Sequence, residues 1–168
     1  MQKRVLLIDP WGTANTSEYL NGLIFGISQR CDLYVFTNYY FKLKTNSSVQ
    51  INRVFFRYTE NKNRGLYRTA IRGIEYYYGY KRIISYLKKQ KRPFDVIHIN
   101  WLLKYDMDKF FLKVLKKHTK KLIYTAHNVI PNNEGEKSIK KLEPIYALCD
   151  RIVVHGDSVA KERSEERR

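Results

Sequence analysis

Cysteine is scarce in this 168-residue chain: Cys31 and Cys149 are its only two, far apart and outside any Cys-x-x-Cys spacing. That count excludes a disulfide framework and a structural zinc site, and two partly buried reduced thiols are expected instead. No apolar run approaches the roughly 20 residues of a membrane-spanning helix. The opening Met1-Gln2-Lys3-Arg4-Val5-Leu6-Leu7-Ile8 is charged and then apolar, but Asp9-Pro10 ends it too early for a secretory signal, so a cytoplasmic chain is expected. Acidic residues are few as well, 16 against 32 Lys and Arg, for a formal net charge of +16. An excess of that size predicts an anionic partner: nucleic acid, an acidic membrane surface or a phosphorylated small molecule. Three nucleotide and hydrolase signatures are missing too: Gly-x-x-x-x-Gly-Lys-Ser/Thr, Gly-x-Gly-x-x-Gly and Gly-x-Ser-x-Gly.

What is present is a regular alternation of short apolar runs and longer helical stretches. Hydrophobic residues make up 43% of the chain, enough for one core at this length. Strands are predicted at Val5 to Ile8, Asp32 to Thr37, within Val49 to Tyr58, at Asp95 to Ile99, Lys121 to Ala126 and Arg151 to His155, with Asn46-Ser47-Ser48 as a turn. Asn15 with Glu18 suits a capping box. Leu20, Leu23, Ile24 and Ile27 then fall on one helix face. Further helices are predicted over Leu66 to Lys89 (interrupted at Gly73 and Gly79), Met107 to His118 capped by Asp106, Ile139 to Leu148, and from Asp157 or Ser158 onward. Strands separated by helices predict an α/β fold: a Rossmann-like, doubly wound, mostly parallel sheet of about six strands with helices on both faces. It would occupy residues 1–160. Residues 161–168 form a charged end that reads as the start of a cut helix, a linker or a solvated tail.

In open parallel sheets ligands bind beyond the carboxyl ends of the strands, where strand order reverses. Those ends here deliver Asp9, Trp11, Gly12 and Thr13, then Asn100 and Trp101, His127 and Asn128, and His155, Gly156 and Ser158. Histidines, asparagines and tryptophans on one rim suit a polyhydroxyl or phosphorylated ligand, and loop glycines let backbone N–H groups approach its oxygens. His98, inside a strand, reads as structural. Asp106 and Asp108 could suggest a metal pair, but capping and helix-dipole complementarity account for both, and no metal site is expected.

From Lys62 to Arg92 ten Lys and Arg residues are interleaved with tyrosines against one acid, Glu75. Arg68, Arg72, Lys81, Arg82, Lys88 and Lys89 are the candidate membrane-facing cations, on a segment suited to an anionic lipid surface. The same composition suits nucleic acid. Lys113, Lys116, Lys117, Lys120 and Lys121 extend the basic character to another helix.

The stretch Thr125-Ala126-His127-Asn128-Val129-Ile130-Pro131, then a helix, then Asp150-Arg151-Ile152-Val153-Val154-His155-Gly156-Asp157-Ser158, resembles the N-terminal half of GT-B glycosyltransferases of the retaining family-four type. Leu6 to Gly12 and Asp95 to His98 fit the same pattern, although Gly12-Thr13 stands where two glycines are frequent. The resemblance implies the acceptor-binding half of a two-domain transferase that moves sugar from a nucleotide-sugar to a glycan or lipid-linked acceptor, in polysaccharide or glycolipid synthesis. It implies a C-terminal donor-binding half, in cis or as a second chain, without which this chain is inactive. It also implies a peripheral position at the inner membrane face and no cofactor or metal, the nucleotide-sugar being a substrate. His127 would face the reacting sugar, with Gly12, Thr13, Asn100, Trp101, Asn128, His155 and Ser158 around the substrates. A non-catalytic basic α/β module binding nucleic acid is the alternative. The strand-end His and Asn residues favour the transferase.

Overall fold

The computed structural model describes residues 2–13, 15–44, 49–127 and 135–154. Within them six strands form one all-parallel sheet in the order β3-β2-β1-β4-β5-β6. The strands are β1 (Lys3–Asp9), β2 (Cys31–Asn38), β3 (Gln50–Phe55), β4 (Phe94–Ile99), β5 (Thr119–Ala126) and β6 (Arg151–Val154). The helices are α1 (Asn15–Ser28), α2 (Leu66–Lys88), α3 (Tyr105–Lys116) and α4 (Gly135–Leu148). This is the doubly wound, Rossmann-like arrangement that the alternation predicts. The predicted last helix from Asp157 or Ser158, the charged end at 161–168 and the turn at Asn46-Ser47-Ser48 lie outside the described residues.

Strand alternation divides the core. Leu6 and Ile8 of β1 join Ile97, Ile99, Leu122 and Phe111 under α2, α3 and α4, while Val5 and Leu7 point the other way to Leu20 and Ile24 of α1. At the centre of the sheet both faces are therefore apolar, one under α2, α3 and α4 and the other under α1.

Two local expectations change. Neither Gly73 nor Gly79 interrupts α2, which runs unbroken; a Cβ at Gly79 would lie 2.3 Å from the Phe55 ring, so that glycine lets the helix sit directly on β3. Asp106 does not cap α3. The helix starts at Tyr105, and the fully buried Asp108 carboxylate reaches back to accept the Leu103 and Lys104 backbone N–H groups at 3.0 and 2.8 Å. Its other oxygen accepts the buried Tyr76 hydroxyl of α2. Glu18 pairs with Lys44, and the expected capping box with Asn15 involves a side chain outside the described ones.

Burial pushes the Asp108 carboxyl up to about 7 despite these hydrogen bonds. A folded-state value above the unfolded one means that stability is lost as pH rises between the two. At about 1.4 kcal/mol per pKa unit, the wild-type chain should lose roughly 2–4 kcal/mol relative to Asp108→Asn between pH 4 and 7. Urea titrations of both proteins across that range check this, and parallel pH curves would refute it.

Candidate functional site

The site grows from strand register. Ile8 of β1 lies opposite Ile99 of β4, and Ile99 opposite Tyr124 of β5, so Asp9, Asn100 and Thr125 lie at one level near the carboxyl ends of their strands. This is the switch point, because β1 connects leftward to β2 and its other neighbour is β4. Asp9 and Asn100 are both fully buried there. The Asn100 Nδ2 donates to Asp9 Oδ2 at 2.6 Å, and the Gly12 N–H donates to Asp9 Oδ1 at 3.0 Å. Asn100 Oδ1 lies 3.1 Å from His127 Nε2.

The protonation pattern follows. Burial pushes Asp9 up to about 6 against the bonds from Asn100, Gly12 and Trp11, so at neutral pH it is a carboxylate and can only accept. Asn100 must then give its NH2 to Asp9 and its carbonyl oxygen to His127, which places a proton on His127 Nε2. Trp101 stacks on the imidazole at 3.8 Å between centroids and 5° between planes, and Tyr19 of α1 meets it edge-on at 5.1 Å. Three elements thus fix one half-buried imidazole at the rim. One layer deeper, His98 Nε2 lies 2.7 Å from Thr125 Oγ1, and burial followed by the nearby His127 pushes His98 down to about 4. His98 is the structural residue the sequence suggests.

Of the predicted set, the structure brings Gly12, Asn100, Trp101 and His127 together. Asn128, His155 and Ser158 lie outside the described residues. Thr13 turns aside, its hydroxyl donating to Glu60 at 2.8 Å. The Gly12 N–H is engaged by Asp9 rather than aimed at a ligand phosphate. Gly12 has φ +44°, and a Cβ would come 2.3 Å from Thr37 Oγ1. Gly12→Ala should therefore destabilise by more than about 1 kcal/mol, through a left-handed backbone and a clash together. Chemical denaturation measures this, and an unchanged midpoint would contradict it.

Asp9 was expected on the rim but without a role, so its part as anchor of the cluster, and Tyr19 as one wall, were not foreseen. The signal for Asp9 was an acid closing an apolar strand, level with an asparagine closing another. Tyr19 carried none, sitting among the residues of an ordinary amphipathic helix.

Beside this cluster is a pocket of about 170 Å³ walled by Trp11, Phe56, Tyr76 and Leu103, with Arg72 and Lys104 at its edges. Phe56 holds φ 56°, a costly conformation for a bulky residue, under the Arg72 guanidinium at 3.6 Å and against Tyr76. Arg72 pairs with Glu60 at 2.8 Å, and Arg68 Nε donates to the Thr59 carbonyl at 2.8 Å. Those two arginines brace the rim instead of forming part of an outward face, because local acceptors on the loop before α2 claim them. Lys81, Arg82, Lys88 and Lys89 are exposed. Among the described residues no group of three His, Cys, Asp or Glu side chains is placed to hold a metal ion.

The class defined by fold and site is a parallel α/β domain with a polar, aromatic-flanked cluster at its topological switch point. No family model matches the sequence, and no curated protein matches it.

Proposed function

We propose that this chain is the acceptor-binding half of a retaining GT-B glycosyltransferase, transferring sugar from a nucleotide-sugar to a glycan or lipid-linked acceptor. The observation that carries the reading is the cluster Asp9–Asn100–His127 with Trp101 stacked on the imidazole. Buried polar groups cost stability unless a ligand or a bonding pattern needs them, and here they orient a ring at the site where such sheets bind ligands. An indole beside that ring offers a flat face for a sugar. The donor-binding half, in cis or as a second chain, would supply the opposite wall of the cleft. Transfer needs stabilisation of charge developing on a diphosphate leaving group, and that belongs to the other half. No metal or cofactor enters the reading.

The test is reconstitution. The 168-residue chain alone should transfer nothing, whereas the chain with a donor-binding half should transfer sugar with retention at the anomeric carbon. Turnover by the isolated chain would overturn the division of labour. Inactivity of the reconstituted protein, combined with tight single-stranded nucleic-acid binding, would favour the basic-module reading.

A peripheral membrane position belongs to the same proposal. Among the described residues no helix is long and apolar enough to cross a membrane. The outer stripe of α2 exposes Leu66 (92%), Tyr67 (72%), Ile74 and Tyr78 (59%), then Lys81, Arg82, Lys88 and Lys89, and α3 adds Phe110 (59%). Apolar side chains followed by cations suit an interface of acyl chains and anionic headgroups. Vesicles containing phosphatidylglycerol should bind the chain and neutral vesicles should not, at about 1 kcal/mol per basic residue engaged. Binding should fall as salt shortens the Debye length to about 8 Å. Equal sedimentation with both vesicle types would refute the electrostatic mechanism.

A further inference from the structure

The carboxyl ends of β2 and β3 carry a group that the switch-point cluster does not use. Asp9 lies opposite Thr37, and Asn38 opposite Phe55, so Tyr39-Tyr40 and Phe56-Arg57-Tyr58 emerge on the pole that bears the cluster. Phe56, in its left-handed conformation, is buried, while Arg57 and Tyr58 after it are exposed. Arg57 Cζ stands 5.0 Å from the centroid of the exposed Tyr39 ring and 5.5 Å from that of Tyr58. Tyr40 meets Tyr39 edge-on at 5.5 Å.

Backbone contacts hold this group in place. The Tyr39 N–H donates to the Phe55 carbonyl at 2.8 Å, and the Tyr40 N–H to Asn38 Oδ1 at 3.0 Å. The Tyr40 hydroxyl donates to the Arg57 carbonyl at 2.9 Å, and the Tyr58 N–H to Glu75 at 2.7 Å. None of these bonds uses the guanidinium. Arg53, Arg68 and Arg72 each donate to a local oxygen, whereas among the described residues no oxygen accepts from Arg57. The acids of this corner are committed elsewhere: Glu75 to Tyr58 and Thr59, Glu60 to Arg72 and Thr13.

A guanidinium braced by aromatic rings keeps its planar fork of N–H donors, which matches a carboxylate, and it stays charged at every ordinary pH. The rings beside it offer apolar surface to the C–H face of a sugar. A pyranose bearing a carboxylate presents both features within the width of one ring. Position selects a glycan over a nucleic-acid strand, because in the transferase reading this pole faces the acceptor.

We infer that Arg57, with Tyr39 and Tyr58, clamps an acidic sugar, a ring bearing a carboxylate, on the acceptor glycan. The inference rests on the transferase reading and narrows it to an acidic acceptor, held at a place apart from the His127 cluster.

The probe is trigalacturonic acid, titrated into the full 168-residue chain and followed by amide shifts of Arg57 and Tyr58. Saturable binding is expected, and the methyl ester, which keeps the rings and loses the charge, should bind at least about tenfold more weakly. Arg57→Gln should weaken binding of the acid by at least about tenfold and leave the ester unchanged. Arg57→Lys should recover little of the loss, because an ammonium has no planar fork. Lys81→Gln makes the same change in net charge on α2 and should alter affinity less than about threefold. Equal losses in Arg57→Gln and Lys81→Gln would reduce the effect to the overall +16 charge and overturn the clamp. So would the absence of saturable shifts, or shifts produced by oligothymidylate alone. Because the titration needs no donor-binding half, the two readings fail separately. Acid binding by a chain that stays inactive on reconstitution overturns the transferase and leaves the clamp as a glycan-binding surface. Transfer to a neutral acceptor at a rate that Arg57→Gln does not change, with no binding of the acid, overturns the clamp and leaves the transferase.

Discussion

Asn100→Ala is expected to unfold at markedly lower denaturant, with a loss of roughly 3–4 kcal/mol that depends on pH. The side chain is fully buried and serves two partners, Asp9 Oδ2 and His127 Nε2. Removing one partner of a buried charge leaves the other poorly solvated, which is far worse than never having placed it there. Without the 2.6 Å bond from Asn100, only backbone N–H groups remain to hold the Asp9 carboxylate, and its titration should move above the value of about 6 it has with the amide in place. The sign follows from linkage. A raised folded-state pKa means stability falls as pH rises through the interval between unfolded and folded values, and the variant extends that interval upward. The destabilisation should therefore be modest near pH 4, where Asp9 is protonated in both proteins, and reach its full size near pH 8. Urea unfolding at the two pH values measures it. An identical loss at both would show that the deficit is packing alone and that Asp9 is not the anchor.

The second large effect concerns His127→Ala in the two-half transferase proposed above, once reconstituted. If the imidazole acts mainly as the glycosidic bond breaks, turnover should fall by roughly 2–4 kcal/mol, the scale of losing one oriented polar group. KM should change little, because uniform binding of the ground state is not its role. Stability should change far less, since a rim side chain leaves no core cavity. The control is His98→Ala. That ring is buried against Thr125, so its loss should destabilise the fold by roughly 2–3 kcal/mol while the chemistry at the rim persists. Thermal unfolding and initial rates on both variants separate the roles. Full turnover in a His127→Ala protein that melts early would make the ring structural.

The architecture was legible because strand and helix periods differ and both sheet faces are apolar, so runs such as Val5 to Ile8 and Asp95 to Ile99 announce buried parallel strands. Strand ends then place Gly12, Asn100, Trp101 and His127 on one rim, where the structure has them. Side-chain direction was not legible. Arg68 and Arg72 read as surface charge, yet each finds an acceptor on the segment just before α2, a pairing that depends on how that loop folds back. Asp106 and Asp108 are both acids in a first turn, and only the packing of Tyr76 on α3 decides that Asp108 turns inward. Gly79 reads as a helix breaker, because the Phe55 ring it accommodates comes from another strand.

The strand order has a consequence for synthesis. Asp9 and Asn100 are 91 positions apart, so at about 5–20 residues per second the amide emerges roughly 5–18 seconds after the carboxylate it will hold. Throughout that interval β1 can pair with β2 and pack on α1, but its other edge stays open and Asp9 keeps its water. The nascent chain thus carries an exposed, strongly apolar strand edge at what becomes the centre of the sheet. Closure of that edge by β4 brings Asn100 onto Asp9, and His127 joins only once β5 has followed, so the candidate site is completed in two steps late in synthesis.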